Sequence, residues 1–257
     1  MTRIDSYEDL ADNIVGWLKD YYWMHNIKAF VVGVSGGIDS AVVSSLCART
    51  GLPTYVVCMP LESKFENSRL SDAHSKALVE KYDNVKRVEV ELFSAYDSLI
   101  KSIEWWSEAQ HFDRKEFTSS ELANANTKSR MRMITLYQIA GSVGGIVVGT
   151  GNKVEDYGVG FYTKYGDGGV DIAPIADLYK TEVWELGEYL EVDQRIVDAD
   201  PTDGLWKDSR SDEDQLGASY AELEEAMETG TGPAVEVLKK FNTQNKHKME
   251  PIPTFKL

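Results

Sequence analysis

Cysteine is scarce in this chain of 257 residues, and long apolar runs are absent. The two cysteines, Cys47 and Cys58, both lie in apolar stretches, so neither a disulfide framework nor a C-x-x-C zinc site is indicated and buried free thiols are predicted. Residues 1–20 carry several acidic side chains in an amphipathic pattern and lack the apolar core of a signal peptide. No run reaches the length of a membrane span. These absences predict a cytoplasmic protein that makes no contact with a membrane.

Basic residues are also few, because 27 lysines and arginines stand against 42 aspartates and glutamates and leave a formal net charge of -15. A protein whose main partner is a nucleic-acid backbone needs a basic surface, so this balance disfavours nucleic acid as a partner. A small anionic substrate, held by local lysines, arginines and a metal ion, remains compatible with it. The length fits one α/β domain over residues 1–257.

The common phosphate-binding motifs are missing, since the chain has neither G-x-x-x-x-G-K-[ST] nor a complete G-x-G-x-x-G after a strand. In their place, the apolar run 29–34 leads into Ser35-Gly36-Gly37-Ile38-Asp39-Ser40, called the 35–40 loop below. The run predicts a strand buried on both faces, and the glycines permit a tight turn whose amides and serine hydroxyls approach an anion. A helical pattern follows, so the loop would lie at a positive helix N-terminus. The alternative is an ordinary turn between a strand and a helix.

Asp39 is the unexpected member of this loop. A carboxylate beside bound phosphate is repulsive unless a divalent cation lies between them, so Asp39 predicts Mg²⁺ that bridges the carboxylate and a pyrophosphate. The loop resembles the signature of the pyrophosphatase-type P-loop enzymes. That resemblance implies cleavage of ATP between its α and β phosphates and adenylation of a substrate.

Strand-like and helical runs alternate along the chain. Strands are predicted at 29–34, 54–59, 85–92 and 145–149, with helices at 67–82 and 123–140 and an N-terminal amphipathic helix that Ser6 caps. The alternation predicts a doubly wound, Rossmann-like parallel sheet flanked by helices, with the 35–40 loop at a switch in strand order. Residues 157–169 predict a long functional loop. The aromatic segment 104–120 is interpreted as either a mobile substrate loop or a subunit contact.

Four further stretches narrow the function: Asn126-Thr127-Lys128-Ser129-Arg130-Met131-Arg132-Met133, Gly149-Thr150-Gly151-Asn152-Lys153-Val154-Glu155, the segment 163–171 (TKYGDGGVD) and the segment 200–206 (DPTDGLW). Together with the 35–40 loop they resemble, in order, the motifs of the ammonia-dependent NAD synthetases, over nearly the whole chain. The resemblance implies an adenine nucleotide alpha hydrolase-like fold, a homodimer and conversion of deamido-NAD to NAD, the last step of NAD biosynthesis. ATP and ammonia would be consumed, and AMP and pyrophosphate released.

The resemblance also assigns roles to individual residues. For ATP it implies Gly33, Val34, Ser35, Gly36, Gly37, Ile38, Asp39, Ser40, Thr150, Lys180 and Thr202. For deamido-NAD it implies Arg130, Lys164, Asp171, His247 and Lys248. It implies Asp39 and Glu155 for Mg²⁺, and Asp167 as a possible residue of an active-site loop.

Local sequence leaves alternatives open for several of these residues. Glu155 can be an acid in the first turn of a helix, where it favours the dipole, whereas Lys180 at such a position opposes the dipole and favours a functional reason. Arg130 and Arg132 point to different sides of a helix, so at most one faces a site. Asp167, between two glycines, can be a turn residue.

The chemistry of amide formation explains the need for ATP. A nicotinate carboxylate has no leaving group, and adenylation supplies one, so that ammonia attacks an acyl-adenylate and expels AMP. No arrangement for a covalent acyl-enzyme stands out. The single helix before residue 29 leaves no room for a glutaminase domain, which predicts free ammonia as the donor, and the alternative is ammonia supplied by a separate glutaminase subunit. The rivals are another adenylating enzyme with the same loop, such as a tRNA thiolase, and a nucleotide-binding module without turnover.

Overall fold

The computed structural model describes residues 3–61, 65–202 and 211–256, and in this part of the chain four parallel strands form one sheet. The strands are β1 (Phe30–Gly33), β2 (Thr54–Cys58), β3 (Val85–Glu89) and β4 (Ile146–Val148), in the order β3-β2-β1-β4. Phe30 is in register with Thr54 on one side and with Ile146 on the other. The predicted parallel sheet is therefore confirmed.

The described helices, in chain order, are α1 (Tyr7–Met24), α2 (Ile38–Arg49), α3 (Phe65–Lys81), α4 (Phe93–Ala109), α5 (Glu121–Val143), α6 (Lys180–Tyr189), α7 (Gln194–Val197), α8 (Asp212–Leu216), α9 (Tyr220–Thr229) and α10 (Val235–Met249). Ser6 caps α1 as predicted, because its side chain accepts the Asp9 amide. None of the described helices combines the length and the apolar character that a membrane crossing needs.

Helices cover both faces of the sheet, as the period-two alternation of β1 requires. Phe30 and Val32 pack with α1, α2 and α6 in one buried cluster. Val31, between them, packs on the opposite face in a second cluster that includes Ala140 of α5. Gly187 of α6 allows a close approach to α2, since a Cβ there would lie 2.5 Å from Ile38 Cδ1. This approach packs α6 closely against the first turns of α2.

The strand order fixes where a ligand can bind. The chain runs from β1 outward to β2 and β3, then returns to place β4 on the other side of β1. The strand order therefore switches between β1 and β4, and open parallel sheets bind ligands at such a switch, outside the carboxyl ends of the strands. The 35–40 loop follows β1 at this switch, as predicted.

The prediction of a loop at 157–169 is wrong for residues 157–159. Residues Val154–Val159 form a π-helical turn that ends at Gly160, whose φ is 63°. Val154 and Val159 are fully buried against α9, so tertiary packing orders a segment that looks irregular in sequence. A Cβ on Gly160 would lie 2.6 Å from Met249 Cε of α10. Residues 160–169 are turns without helix or strand.

The aromatic segment 104–120 begins inside α4 and continues as turns. Trp106, Phe112 and Phe117 pack on one another with ring centroids about 6 Å apart. Trp105 beside them is 72% exposed. The two interpretations of this segment, and the homodimer, remain predictions.

Candidate functional site

The 35–40 loop turns the chain from the end of β1 directly into α2. Gly36 has a φ of 95°, which glycine adopts without strain. Ser40 Oγ accepts the Ser35 amide at 3.1 Å and donates to the Gly37 carbonyl at 3.0 Å. Gly37 is the N-cap of α2 and has no side chain to cap the helix, so the first-turn amides are available to an anion. The predicted strand, turn and helix are all present.

A lysine bridges two carboxylates beside this loop. The side chain of Lys180, the first residue of α6, is 3% exposed. Its Nζ lies 2.6 Å from Asp39 Oδ2 and 3.1 Å from Glu155 Oε1. Three predicted site residues, which come from α2, the π-helical turn and α6, are thereby brought into direct contact.

Burial and neighbouring charges shift the pKa values of Lys180 and Glu155. Burial opposes the charge on Lys180, but the adjacent carboxylates of Asp39 and Glu155 outweigh it and raise the pKa of the ammonium. Burial raises the pKa of Glu155 in spite of the Lys180 ammonium, and the charge of Asp39 adds to the rise. One ammonium between two carboxylates leaves an excess of negative charge. The arrangement therefore suits a further cation.

A third carboxyl group, that of Asp156, lies close to the trio. It packs against Gly151, where an added Cβ would lie 2.4 Å from its oxygens. Burial raises the pKa of Asp156 to about 7, and the charges of Glu155, Asp167 and Asp39 contribute. The sequence motifs did not single out this residue.

Asn152 holds the two carboxylate-bearing segments together. Its side chain is fully buried, and its Nδ2 donates to Asp39 Oδ1 at 3.0 Å. Its Oδ1 accepts the amides of Val154 and Glu155, each at 3.1 Å. One amide group thus fixes the Asp39 side chain and the start of the π-helical turn that carries Glu155.

Two predicted hydroxyl residues lie at the edges of the described site. Thr150 is half-buried and follows β4 at the carboxyl edge of the sheet. Thr202 lines a cleft together with Asp200, Ser211 and Glu213. The rest of the predicted motif, residues 203–206, lies outside the described residues.

Four of the five residues predicted for the dinucleotide converge on the segment 162–167. Arg130 Nε donates to the Lys164 carbonyl at 3.3 Å, and Lys164 Nζ donates to the His247 carbonyl at 3.0 Å. Lys248 Nζ donates to the Tyr162 carbonyl at 2.8 Å and lies 5.0 Å from the centre of its ring. A basic cluster, defined as Arg130, Lys164, His247 and Lys248, is formed where α5 and the end of α10 meet this segment.

Asp171, the fifth of these residues, is bound elsewhere. Its Oδ2 accepts the Val147 amide of β4 at 2.8 Å, and its Oδ1 accepts the Tyr137 hydroxyl at 3.0 Å. No contact with the basic cluster is recorded for it among the described residues. Burial and this bond raise the pKa of Tyr137 to about 12. Asp171 therefore extends the pairing at the edge of the sheet.

Asp167 is exposed as a residue, but its carboxylate is part-buried and makes contacts that a free turn residue does not make. Its Oδ1 accepts the Ser129 hydroxyl at 2.5 Å and the Thr163 amide at 3.0 Å. Burial raises the pKa of Asp167, against these hydrogen bonds. The side chain anchors the segment 163–167 to α5. Its role in an active-site loop stays a prediction.

Comparisons with known proteins show the family of this chain. The family model described as NAD synthase matches residues 10–253. The chain belongs to this family. The NH(3)-dependent NAD(+) synthetase of Carboxydothermus hydrogenoformans is 35% identical over 246 residues, which is 95% of each chain. That of Archaeoglobus fulgidus is 35% identical over 224 residues, 86% of this chain and 83% of the other.

Solved structures give the same family. The NMN synthetase of Francisella tularensis superposes with a TM-score of 0.84 at 31% identity and covers 99% of this chain and 100% of its own. The NAD+ synthetase of Burkholderia pseudomallei has a TM-score of 0.73 at 25% identity, with 96% of this chain and 91% of the other covered. The adenine nucleotide alpha hydrolase-like fold expected from the motifs is therefore confirmed.

Three contact residues in this member of the NAD synthase family were missed from sequence. Asn152 lies inside a recognised motif, and its burial is what the motif alone does not reveal. Tyr220 and Asp212 lie outside every motif, yet the Tyr220 hydroxyl lies 2.8 Å from Glu155 Oε1 and 3.2 Å from Asp212 Oδ2. Only the fold brings them to the site.

Proposed function

We propose that this chain converts deamido-NAD to NAD with ATP and free ammonia, through an acyl-adenylate, and releases AMP and pyrophosphate. As a member of the NAD synthase family it is an amide-forming ligase of NAD biosynthesis. The observation that carries the proposal is the contact of Lys180 with Asp39 and Glu155 beside the 35–40 loop. That arrangement joins a cradle for phosphate to charged groups that adenylation needs.

The residues of the site divide the work of binding ATP. The amides at the start of α2 and the hydroxyls of Ser35 and Ser40 suit the pyrophosphate end of the nucleotide. Lys180 keeps its charge, because the neighbouring carboxylates raise its pKa against burial, and it supplies an ammonium within reach of the same loop. Thr150 and Thr202 are proposed as further hydroxyl donors.

The side chains beside the 35–40 loop suit Mg²⁺, and Asp39 and Glu155 would be its ligands. Both are carboxylates, the ligands that a hard cation prefers, and the described residues contain no group of three or more metal-binding side chains. Mg²⁺ commonly takes one or two carboxylates and completes its shell with phosphate oxygens and water, so two are sufficient. When bound, Mg²⁺ neutralises charge that gathers on the departing pyrophosphate.

The protein positions two successive attacks. The nicotinate carboxylate attacks the α-phosphate of ATP, while the 35–40 loop and Lys180 stabilise the leaving pyrophosphate. Ammonia then attacks the acyl-adenylate and expels AMP. The basic cluster on the segment 162–167 suits the pyrophosphate of the dinucleotide, and exclusion of water by this segment would protect the adenylate.

A second candidate is the amidation of the mononucleotide. It is favoured by the similarity to the Francisella tularensis NMN synthetase, which covers nearly all of both chains. The phosphate loop and the Lys180 trio serve both reactions equally, because both acids require adenylation. The two candidates differ in the acid substrate, because deamido-NAD is a dinucleotide and its second nucleotide unit must be bound, whereas the mononucleotide has none.

The test is to incubate the purified protein with ATP, Mg²⁺ and ammonium, and with either deamido-NAD or nicotinate mononucleotide. We expect ammonium-dependent NAD, and a fall of about 100-fold or more in Asp39→Asn because a carboxylate of the charged trio is lost. Asp20→Asn, an exposed change on α1, is the matched control. NMN formation in place of NAD selects the second candidate. Bound ATP without pyrophosphate release identifies a binding module.

A further inference from the structure

Tyr220, the first residue of α9, reaches into the charged trio from outside every sequence motif. The residue is 1% exposed. Its hydroxyl oxygen lies 2.8 Å from Glu155 Oε1 and 3.2 Å from Asp212 Oδ2, and the centre of its ring lies 4.9 Å from Lys180 Nζ. One side chain therefore touches both Glu155 and Lys180.

The hydroxyl acts as a hydrogen-bond donor to Glu155. The Tyr220 hydroxyl lies 2.8 Å from Glu155 Oε1, and a carboxylate oxygen accepts while the phenol O–H donates. A phenol has a single hydrogen to donate, and Glu155 Oε1 is the nearer of the two acceptors.

This bond restricts the rotation of the Glu155 carboxylate. Oε1 receives two donors, the Tyr220 hydroxyl and Lys180 Nζ. Among the described residues no donor is recorded for Oε2. The backbone of Glu155 is fixed as well, since its amide donates to Asn152 Oδ1. The carboxylate is thus held with one oxygen committed to the protein and one oxygen available to a ligand.

The ring of Tyr220 is itself anchored. It meets Trp184 of α6 edge to face, with ring centres 6.0 Å apart. The Tyr220 amide donates to Glu213 Oε1 at 3.0 Å, which ties α9 to α8. Because the ring packs on Trp184 and the backbone is tied to α8, Tyr220 can in turn restrain the Lys180 ammonium by a cation–π contact.

We propose that Tyr220 is a positioning residue for the reaction: its hydroxyl orients the Glu155 carboxylate and its ring orients Lys180 for phosphate and metal binding. The inference rests on the proposed function, because it assigns Tyr220 to that same site. Removal of a group that orients a ligating carboxylate typically lowers metal affinity or activity by about 10- to 100-fold. We expect an effect of this size from the loss of the Tyr220 hydroxyl.

A purely structural role makes a different prediction. Loss of the hydroxyl from a buried site lowers stability in either case, because Glu155 loses a donor. A structural role leaves the folded fraction with normal kinetics. If Tyr220 has a positioning role, loss of its hydroxyl changes kcat and the half-saturating Mg²⁺ concentration. The KM for the dinucleotide stays constant, because the residues proposed to bind the dinucleotide lie elsewhere.

The experiment compares Tyr220→Phe with wild type, because phenylalanine keeps the ring and removes only the hydroxyl. We expect kcat to fall and the half-saturating Mg²⁺ concentration to rise, each by roughly 10- to 100-fold, with the KM for deamido-NAD within about twofold. Tyr22→Phe is the matched control, because Tyr22 is also buried but packs against Phe30 in the core. An unchanged kcat and Mg²⁺ demand in Tyr220→Phe overturns the proposal.

A second measurement separates this inference from the proposed function. Calorimetry of ATP binding with Mn²⁺ needs no carboxylate substrate, and the affinity should fall by roughly 10- to 100-fold in Tyr220→Phe. If wild type forms no amide product, the proposed function fails while this measurement still decides the role of Tyr220. In a Glu155→Gln background the hydroxyl should matter little, so additive losses in the double variant also overturn the proposal.

Discussion

Replacement of His74 by glutamine tests how a buried imidazole supports the helix that carries the 35–40 loop. His74 of α3 is 6% exposed, and its Nε2 lies 2.9 Å from Ser44 Oγ of α2. Ser44 Oγ also lies 2.7 Å from the Ser40 carbonyl and 3.1 Å from that of Ala41, both of which can only accept. The one hydroxyl hydrogen goes to a carbonyl, so Nε2–H of a neutral imidazole is the donor to Ser44.

The expected magnitude follows from the pKa of His74. Burial lowers this pKa from 6.5 to about 4, although the Ala41 carbonyl and the charge of Asp193 oppose the change. The unfolded chain therefore binds a proton in a pH range where the folded protein does not, and stability falls as the pH falls from 6.5 towards 4. The full loss of unfolding free energy from this group is about 3 kcal/mol, of which about 2 kcal/mol is expected by pH 5.

The assay is urea unfolding of wild type and His74→Gln near pH 7.5 and near pH 5. Glutamine keeps a donor at the position of Nε2 and does not titrate, so it should cost about 1 kcal/mol near pH 7.5. Near pH 5 the difference should shrink or reverse, because only wild type loses about 2 kcal/mol from this group. His25→Gln, an exposed change after α1, should retain the pH dependence of wild type. The same loss in His74→Gln as in wild type would refute the reasoning.

Two further substitutions probe contacts that position the site. In Gly166→Ala the new Cβ would lie 2.2 Å from Ser129 Oγ, so we expect a loss of about 1–3 kcal/mol in thermal unfolding. Gly16→Ala, in α1 with nothing within 4 Å, should instead stabilise the protein by about 0.5–1 kcal/mol. Glu224 accepts the amide and the hydroxyl of Thr181 at 3.0 and 2.6 Å, so Glu224→Gln should lose about 1–2 kcal/mol in urea unfolding. A melting temperature unchanged by Gly166→Ala, or an unchanged unfolding free energy in Glu224→Gln, contradicts the respective prediction.

Local signals were sufficient to predict the sheet and the loop. The apolar run into Ser35 and the paired glycines determine a strand and a tight turn without help from distant residues. Strand ends were less accurate, because the third strand ends at Glu89 and the prediction ran to residue 92. Pairing does continue there irregularly, since the Leu92 amide donates to the Pro60 carbonyl. Pro60 has no amide to return the bond, which ends the regular ladder.

The contacts that complete the site have no local signature. Asn152 meets Asp39 across 113 residues, and Tyr220 meets Glu155 across 65. Neither spacing follows from helix or strand periodicity, because each contact depends on how whole elements pack. The π-helical turn at Val154–Val159 is ordered in the same way, by burial against α9.

Lys180 shows how local sequence and tertiary structure divide the explanation. A cation in the first turn of a helix opposes the helix dipole, so the position of Lys180 in the sequence indicates an unfavourable interaction with no visible compensation. In the structure the compensation comes from the carboxylates of Asp39 and Glu155, which keep the buried Lys180 ammonium charged. The balance is incomplete, because two carboxylates exceed one ammonium. Burial raises the pKa of Glu155, and the charge of Asp39 adds to the rise. Under the proposed function, this residual negative charge suits a cation bound with the nucleotide, for which Asp39 and Glu155 would be the ligands, while Lys180 would pair with the phosphates.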